Sequence, residues 1–325
     1  MVLVTGATGF LGSVLVRQLL GAGETVRILR RGTSSLDLLG ERAHHVEHAV
    51  GDVTDGASVR AAMEGVRCVY HAAAFVGFGG RKDAERLHAV NVAGTAHVAD
   101  AAREAGVRRL VLTSSQAAFG RPEKEGAVID ETAEWTVSRM NTAYARSKHA
   151  AELEVHRAVA EGLDAVIVNP AVIFGPGRAG ENTTEIVDRV RRGRMPVAPA
   201  GGTSVVDVED VAAGHRAAMA RGETGERYFL GSENLRWKEI FGTLAEAFGV
   251  PGPKLVLAPG LAMAAGSLSE AAALVTRQRP TLTRETARIS GRAYRYSNRK
   301  AREELGVTFR PFRATAERIA ASYAR

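Results

Sequence analysis

The run Val4-Thr5-Gly6-Ala7-Thr8-Gly9-Phe10-Leu11-Gly12 sets three glycines between a β-branched stretch and an amphipathic one. Val14, Leu15, Leu19 and Leu20 follow at helical spacing and mark an inward face. A glycine triplet alone says little. Placed between a strand and a helix, it becomes specific. Gly6 permits a tight turn, Gly9 lets backbone approach a pyrophosphate, and Gly12 lets the helix pack closely on the strand. The helix N-terminus then offers free N–H groups and a partial positive charge to phosphates. Thr8, Phe10 and Leu11 complete the loop and join the expected cofactor-binding set.

The pattern that begins there repeats over the first 170 residues. Short apolar runs ("VLVTG", "TVRILR", "HHVEHAVGD", "CVYHAAA", "RLVLTSS", "DAVIVNP") alternate with Ala-rich helical stretches. Nearly continuous apolar strands suit a sheet covered on both faces. Alternation with helices predicts an α/β fold with a parallel, doubly wound sheet. After Pro170 the chain turns richer in Gly, Pro and Arg, starting at "GPG" (Gly175 to Gly177). A strand-like "TSVVDVEDV", a helix and "ERYFLG" then point back to the first sheet. The expected division is residues 1–170 plus 207–232 for cofactor binding, and 171–206 plus 233–325 for a smaller, discontinuous C-terminal substrate lobe.

Bulk properties exclude several classes. One cysteine, Cys68, rules out a disulfide framework or cysteine-rich metal site and fits a reducing cytosol, so a cytoplasmic protein without metal is expected. "MVLVTG" reads as a strand, not a targeting segment. The most apolar later run, 255–275, is broken by Pro259, Gly260, Gly266, Ser267, Ser269 and Glu270. It predicts an Ala-rich buried or lobe helix without stable membrane insertion. The charge of +7 is concentrated at Arg189, Arg191, Arg192 and Arg194. No nucleic-acid module accompanies it, so a solvated face or an anionic ligand is expected, with no nucleic acid bound.

The second strand ends in Arg30 and Arg31, followed by Thr33, Ser34 and Ser35. An acid at this place would hold ribose hydroxyls and repel a 2′-phosphate; guanidinium groups bind the phosphate in a fork. Arg30, Arg31 and Ser34 therefore predict NADP(H) over NAD(H). "VGDVTD" offers Asp52 to the adenine amino group and Val53 to its ring. "HAAA" puts His71, Ala72, Ala73 and Ala74 where a cofactor must pass, with His71 read as hydrogen-bonded structure in preference to a base. Pro170 and Val172 complete the cofactor set.

"TAYARSKHAAE" sets Tyr144 four residues before Lys148, on one helix face. Together with "TGATGFLG", "GDVTD", "HAAA", "NVAGT", "VLTSSQAAFG", "YARSK" and "NPAVIFGPG", it gives the chain a resemblance to the extended short-chain dehydrogenase/reductase superfamily. "VEDVAAGH", "GERYFLG" and "AREELGVTFRPF" extend the likeness to nearly the whole length. It is most similar to the dihydroflavonol-reductase-like branch, which includes bacterial relatives described as NAD-dependent epimerase/dehydratase. The resemblance implies a Rossmann domain, a small substrate lobe, NADP(H), and a site in which Tyr144 gives or takes a proton, Lys148 is its partner and Ser115 the assisting hydroxyl. It also implies that Asn91 supports the central strands and the site. A homodimer through a four-helix interface, using about 81–105 and 141–161, is implied as well.

A carbonyl that receives hydride needs a proton and a hydrogen-bond donor as charge develops. A free tyrosine has a pKa near 10, and a nearby ammonium is expected to lower it while reaching the nicotinamide ribose. Phe75, Val76, Phe78, Gln116, Met140, Val172 and Phe174 are the candidate pocket residues; their apolar character suits a hydrophobic or aromatic small-molecule carbonyl. Nucleotide-sugar epimerases of this superfamily usually carry Arg-Asp where Thr203 and Ser204 stand, and sugar dehydratases an Asp-Glu pair where Gln116 and Ala117 stand. An NADPH-dependent carbonyl reductase therefore leads. An epimerase holding its NAD(P) tightly is second, and a non-catalytic NADP(H) sensor or scaffold third.

Overall fold

The computed structural model describes residues 1–77, 80–122, 126–178, 183–276 and 283–324. Its main sheet holds β1 (Val2–Thr5), β2 (Val26–Arg30), β3 (Glu47–Val50), β4 (Cys68–His71) and β5 (Arg109–Thr113). β6 (Val128–Ile129) lies apart; β7 (Ala165–Pro170) returns to the sheet. The order β11-β7-β5-β4-β1-β2-β3, with β11 at Arg227–Leu230, is parallel throughout. This is the doubly wound order, whose switch point lies between β1 and β4.

Strand alternation explains the two cores. Val2 and Val4 face one side with Val111, Val166 and Val168; Leu3 faces the other with Leu110, Leu112 and Ile167. Helix α1 (Phe10–Gly21) covers the first side. Helices α2 (Gly56–Ala62), α4 (Gly94–Glu104) and α5 (Ala143–Ala160) belong to the second. The helix expected over 81–105 is interrupted: α3 (Gly80–Leu87) passes through a π-helical turn, His88–Ala93, into α4. Such turns recur at functional sites, and this one carries Asn91. Leu153 on α5 is 54% exposed.

Beyond β7, strands β8 (Val172–Phe174), β9 (Val197–Pro199), β10 (Gly202–Asp207), β12 (Glu233–Arg236), β13 (Leu255–Leu257) and β14 (Arg295–Tyr296) make small sheets ordered β12-β10-β8, β13-β9 and β14-β6. Helices α6 (Thr183–Arg191), α8 (Trp237–Ala247) and α12 (Phe312–Tyr323) enclose a third core around Phe174, Ile240, Leu244, Phe312 and Ile319. Helix α7 (Val208–Arg221) packs on α1, while α9 (Pro259–Thr276), α10 (Arg284–Ser290) and α11 (Arg299–Leu305) complete the chain.

The helix expected within 255–275 is α9, preceded by a short strand, and Leu261 and Leu268 on it are 63% and 72% exposed. Among the described residues no helix is long and apolar enough to cross a membrane. The arginine-rich segment is partly neutralised: Arg191 and Arg192 both reach Asp188 at 2.9 Å, and Arg191 lies over the Tyr323 ring.

Helix α12 is tied back to the β10–α7 junction through Asp207. This fully buried carboxylate caps α7 by accepting from the Glu209 amide at 2.8 Å, and it receives Arg318 at 2.5 Å. Neighbouring Asp210 receives Arg310 at 2.8 Å. Without Asp207 the half-exposed Arg318 keeps Glu209 at 3.6 Å, so the loss is mainly that of the α7 cap. Asp207→Ala should lower unfolding free energy by about 1–2 kcal/mol in urea titrations; a loss below about 0.5 kcal/mol would show that the cap is dispensable.

His215 predicts an acid transition. Its Nδ1 meets the Val211 carbonyl at 2.8 Å and its Nε2 the Thr113 hydroxyl at 2.7 Å. Burial holds its pKa down at about 4 against 6.5 in the unfolded chain. As pH falls below 6.5 the unfolded state takes up the proton first, so this contribution to stability is complete above 6.5 and is lost toward pH 4. The urea midpoint should fall across that window, and His215→Gln should flatten the fall; an identical slope in the variant would refute the assignment.

Candidate active site

The glycine loop is shaped by backbone crowding. Gly6 has φ +70°, and a Cβ there would lie 2.6 Å from the backbone of Ala72 and Ala73. A Cβ on Gly12 would lie 2.1 Å from the Gly6 carbonyl oxygen. Gly9 is the N-cap of α1, with no side-chain cap and no acid in the first turn. The first N–H groups of α1 are thus left for an anion, which is the donor set that a pyrophosphate requires. Thr8 is half-buried, and Phe10 packs beside Gly177. Leu11 sends its side chain into the core, so only its backbone is available to a ligand.

At the adenine end, Arg30 donates from Nε to His48 Nδ1 at 2.8 Å and from Nη1 to the Arg31 carbonyl at 3.3 Å. Arg31 is exposed and Ser34 half-buried, with the Ser34 amide on the Arg31 carbonyl at 3.0 Å. Asp52 accepts from the amide and hydroxyl of Thr54 at 3.0 and 2.9 Å. Val53 is buried and turned toward Gly94.

His71 leaves the cofactor set. It is fully buried, with Nδ1 on Thr5 Oγ1 at 2.6 Å and Nε2 on Thr95 Oγ1 at 3.1 Å. Burial, and then the Lys148 charge, hold its pKa down at about 3, so the ring stays neutral. The same Thr5 hydroxyl accepts the Ala73 amide at 3.2 Å, shaping the half-buried Ala72 and Ala73 and the exposed Ala74.

Helix α5 begins at a strong cap. The Thr142 side chain accepts from the Ala145 amide at 3.0 Å, and Glu285 Oε1 takes the Ala143 amide at 3.0 Å. This presents Tyr144 in the first turn, where its hydroxyl hydrogen-bonds Ser115. Ser115 stands just past the end of β5 in extended backbone and caps the short 3₁₀ segment Gln116–Phe119. Burial pushes the Tyr144 pKa up; the Ser115 bond and the Arg121 charge oppose this.

The expected lowering of Tyr144 by Lys148 is not found. Lys148 is 3% exposed and donates from Nζ to the Thr113 carbonyl at 2.7 Å. Burial brings its own pKa down to about 8, opposed by Glu152. Glu152 is 2% exposed, and its Oε1 receives Ser114 Oγ at 2.5 Å and Asn169 Nδ2 at 2.6 Å. Asn169 Nδ2 also meets the Ser115 carbonyl at 3.0 Å. Burial raises the Glu152 carboxyl.

Asn91 braces the site and does not face it. Its Oδ1 takes the Phe75 amide at 2.7 Å, while Nδ2 reaches the Phe75 carbonyl at 2.9 Å and Ser147 Oγ at 3.0 Å.

The proposed pocket set divides. Gln116 is 5% exposed; its Nε2 meets Thr203 Oγ1 at 2.9 Å and its Oε1 has no partner among the described residues. Met140 is buried, Phe75 is half-buried under the Arg86 guanidinium at 4.2 Å, and Val76 is 46% exposed. Phe174 leaves the set. It is wholly buried, edge-on to Phe312 at 5.1 Å in the third core, and touches no open space. Phe78 lies outside the described residues. Pro170 is buried at the end of β7 and Val172 is half-buried in β8.

Glu152 and Asn169 escape the sequence reading, although both leave a trace: an acid one turn beyond Lys148, and an amide inside the apolar run "AVIVNP". Arg121 leaves none. It follows the turn at Gly120 (φ +79°), and only the fold brings its charge to Tyr144.

This loop-and-helix constellation has close parallels. Residues 2–231 match the model of the NAD dependent epimerase/dehydratase family. The chain is 37% identical over 309 residues to a putative dihydroflavonol 4-reductase of Synechocystis sp., covering 94% of this chain and 89% of the relative. It is 39% identical over 313 residues to sterol demethylase protein B of Methylococcus capsulatus, covering 94% and 92%. The crystal structure of gox2253 superposes with TM-score 0.85 and 34% identity, over 100% of this chain and 98% of that one. The chain is an enzyme of the NAD dependent epimerase/dehydratase family, in the extended short-chain dehydrogenase/reductase superfamily, with dihydroflavonol-reductase-like relatives.

Proposed function

We propose that this enzyme reduces an apolar or aromatic ketone or aldehyde to the alcohol at the expense of NADPH. The observation that carries the reading is the Ser115–Tyr144 hydrogen bond at the C-terminal edge of the sheet, beside the switch point and the glycine loop. When bound, the nicotinamide supplies the hydride. The α1 N-terminus would hold the pyrophosphate, Lys148 the nicotinamide ribose, and Arg31 with Ser34 a 2′-phosphate. Ser115 holds the substrate oxygen, and Tyr144 hands over its proton as charge develops there.

The raised Tyr144 pKa supports this direction. At neutral pH the phenol is protonated, which is the form a reductase needs and an alcohol dehydrogenase does not. Thr203 and Ser204 weigh against a nucleotide-sugar substrate. They are 9% and 1% exposed and neutral, with Thr203 engaged by Gln116.

Two variants test the reading. Tyr144→Phe should lower kcat on aromatic ketones and aldehydes by at least 100-fold, on the scale of a lost general acid, while NADPH titrations keep their affinity; turnover near that of the parent would sink the mechanism. Arg31→Glu should move the ratio of kcat/KM for NADPH over NADH toward NADH by roughly 10-fold or more, since a charge-assisted contact with the phosphate is exchanged for repulsion. A parent enzyme that already favours NADH would refute the assignment.

A further inference from the structure

Arg121 has no part in the reaction as so far described, yet its surroundings are those of a binding group. Gly120 turns the chain at φ +79°, and the Arg121 amide is fixed on Asn141 Oδ1 at 2.8 Å, three residues before Tyr144. The guanidinium hydrogen-bonds Tyr296, and its carbon lies 6.0 Å from the Tyr294 ring centre. Tyr296 is itself buried, stacked on Phe229 at 5.1 Å. Nη1 is buried and has no hydrogen-bond partner, carboxylate or other, among the described residues. Its charge is felt at the Tyr144 hydroxyl.

A buried guanidinium N–H without an acceptor is costly unless something supplies one. The group is held by Tyr296 from one side and keeps a donor in reserve, on a segment pinned to Asn141, three residues before Tyr144. Resting on the reductase reading, we propose that Arg121 binds a carboxylate carried by the substrate close to its reacting carbonyl, so that the preferred substrates are oxo acids with an apolar tail. One guanidinium matches one carboxylate. A diphosphate would bring more charge than this site answers: Arg139 is exposed, and Arg146 is turned onto the Asn141 carbonyl at 2.9 Å. In the reaction the carbonyl carbon accepts the hydride of NADPH, its oxygen takes the Tyr144 proton, and the carboxylate stays unchanged on Arg121.

The test compares freshly prepared 2-oxodecanoate and 3-oxodecanoate with their methyl esters, following NADPH consumption and the hydroxy product. The parent enzyme should favour at least one acid over its ester by roughly 10-fold or more in kcat/KM, as a charge-assisted contact implies. Arg121→Gln should lose on the order of 30-fold on that acid. The readout is the acid-to-ester ratio of kcat/KM, which an effect on Tyr144 common to both substrates leaves unmoved. Arg121→Lys should recover part of the acid activity, keeping the charge without the fork. Equal use of acid and ester by the parent, or an equal loss on both in Arg121→Gln, overturns the proposal and leaves the reductase reading standing. So does reduction of neutral ketones with neither acid accepted. Should no carbonyl compound be reduced, the reductase reading fails, and thermal denaturation decides the subsite by itself. Stabilisation of the parent but not of Arg121→Gln by either acid, with no effect of the esters, sustains it; equal shifts in both proteins overturn it.

Discussion

The contact on which the rest depends is that between Gly12 and the Gly6 carbonyl, too close for any side chain. It seats the first turn of α1 on the end of β1 and so aims the free N–H groups of that turn at the switch point. From this end a hydrogen-bonded chain runs to the catalytic helix. The Thr5 hydroxyl meets His71, His71 meets Thr95, and Thr95 donates to the Asn91 carbonyl at 2.6 Å. Asn91 then reaches Ser147, whose hydroxyl returns to the Tyr144 carbonyl at 2.9 Å. Thr95 gives its proton to Asn91 and therefore accepts from His71 Nε2, which leaves Nδ1 to accept from Thr5. A neutral ring in one tautomer satisfies every partner, in keeping with a pKa held near 3. The histidine that the sequence reads as hydrogen-bonded structure is the joint between the glycine loop and the helix bearing Tyr144.

The π-helical turn belongs to the same construction. A regular helix through His88–Ala93 would rotate Asn91 away from the positions it serves. With the turn, one amide side chain closes both backbone groups of Phe75 and touches α5. The loop after β4 and the helix bearing Tyr144 and Lys148 are thus held by a residue that need never touch substrate.

What was legible in the sequence follows from where information is local. The inner strands β1, β4 and β7 are buried on both faces and stand out as apolar runs, while the edge strand β3 (EHAV) is half-exposed. Gly9 and Gly12 are set by contacts with Gly6 a few residues away, whereas the crowding at Gly6 comes from Ala72 and Ala73 on the neighbouring strand's exit. Tyr144 and Lys148 share a helix face. Arg121 and Phe174 depend on distant partners, Tyr296 and Phe312, and no spacing announces either. The direction of the Tyr144 shift was misread for a related reason. Helical spacing puts an ammonium on the same face as the phenol, but it does not say that the ammonium will turn to the Thr113 carbonyl or that burial will outweigh it.

Lys148 and Glu152 show how that balance is built. Both are almost wholly buried, one turn apart, and burial favours the neutral form of each. The lysine, near 8, is still mostly charged at neutral pH, held by the Thr113 carbonyl and the Glu152 field. Glu152 in turn draws Ser114 and Asn169 onto one oxygen, and Asn169 reaches on to the Ser115 carbonyl. The charge one turn behind the lysine therefore does two things. It keeps an ammonium in a place that disfavours one, and it fixes the backbone that carries the assisting serine. Tyr144 sits ahead of this pair, and burial, which raises its pKa, keeps the proton on the phenol. Against that burial stand the Ser115 hydrogen bond and the Arg121 charge, both of which lower the Tyr144 pKa.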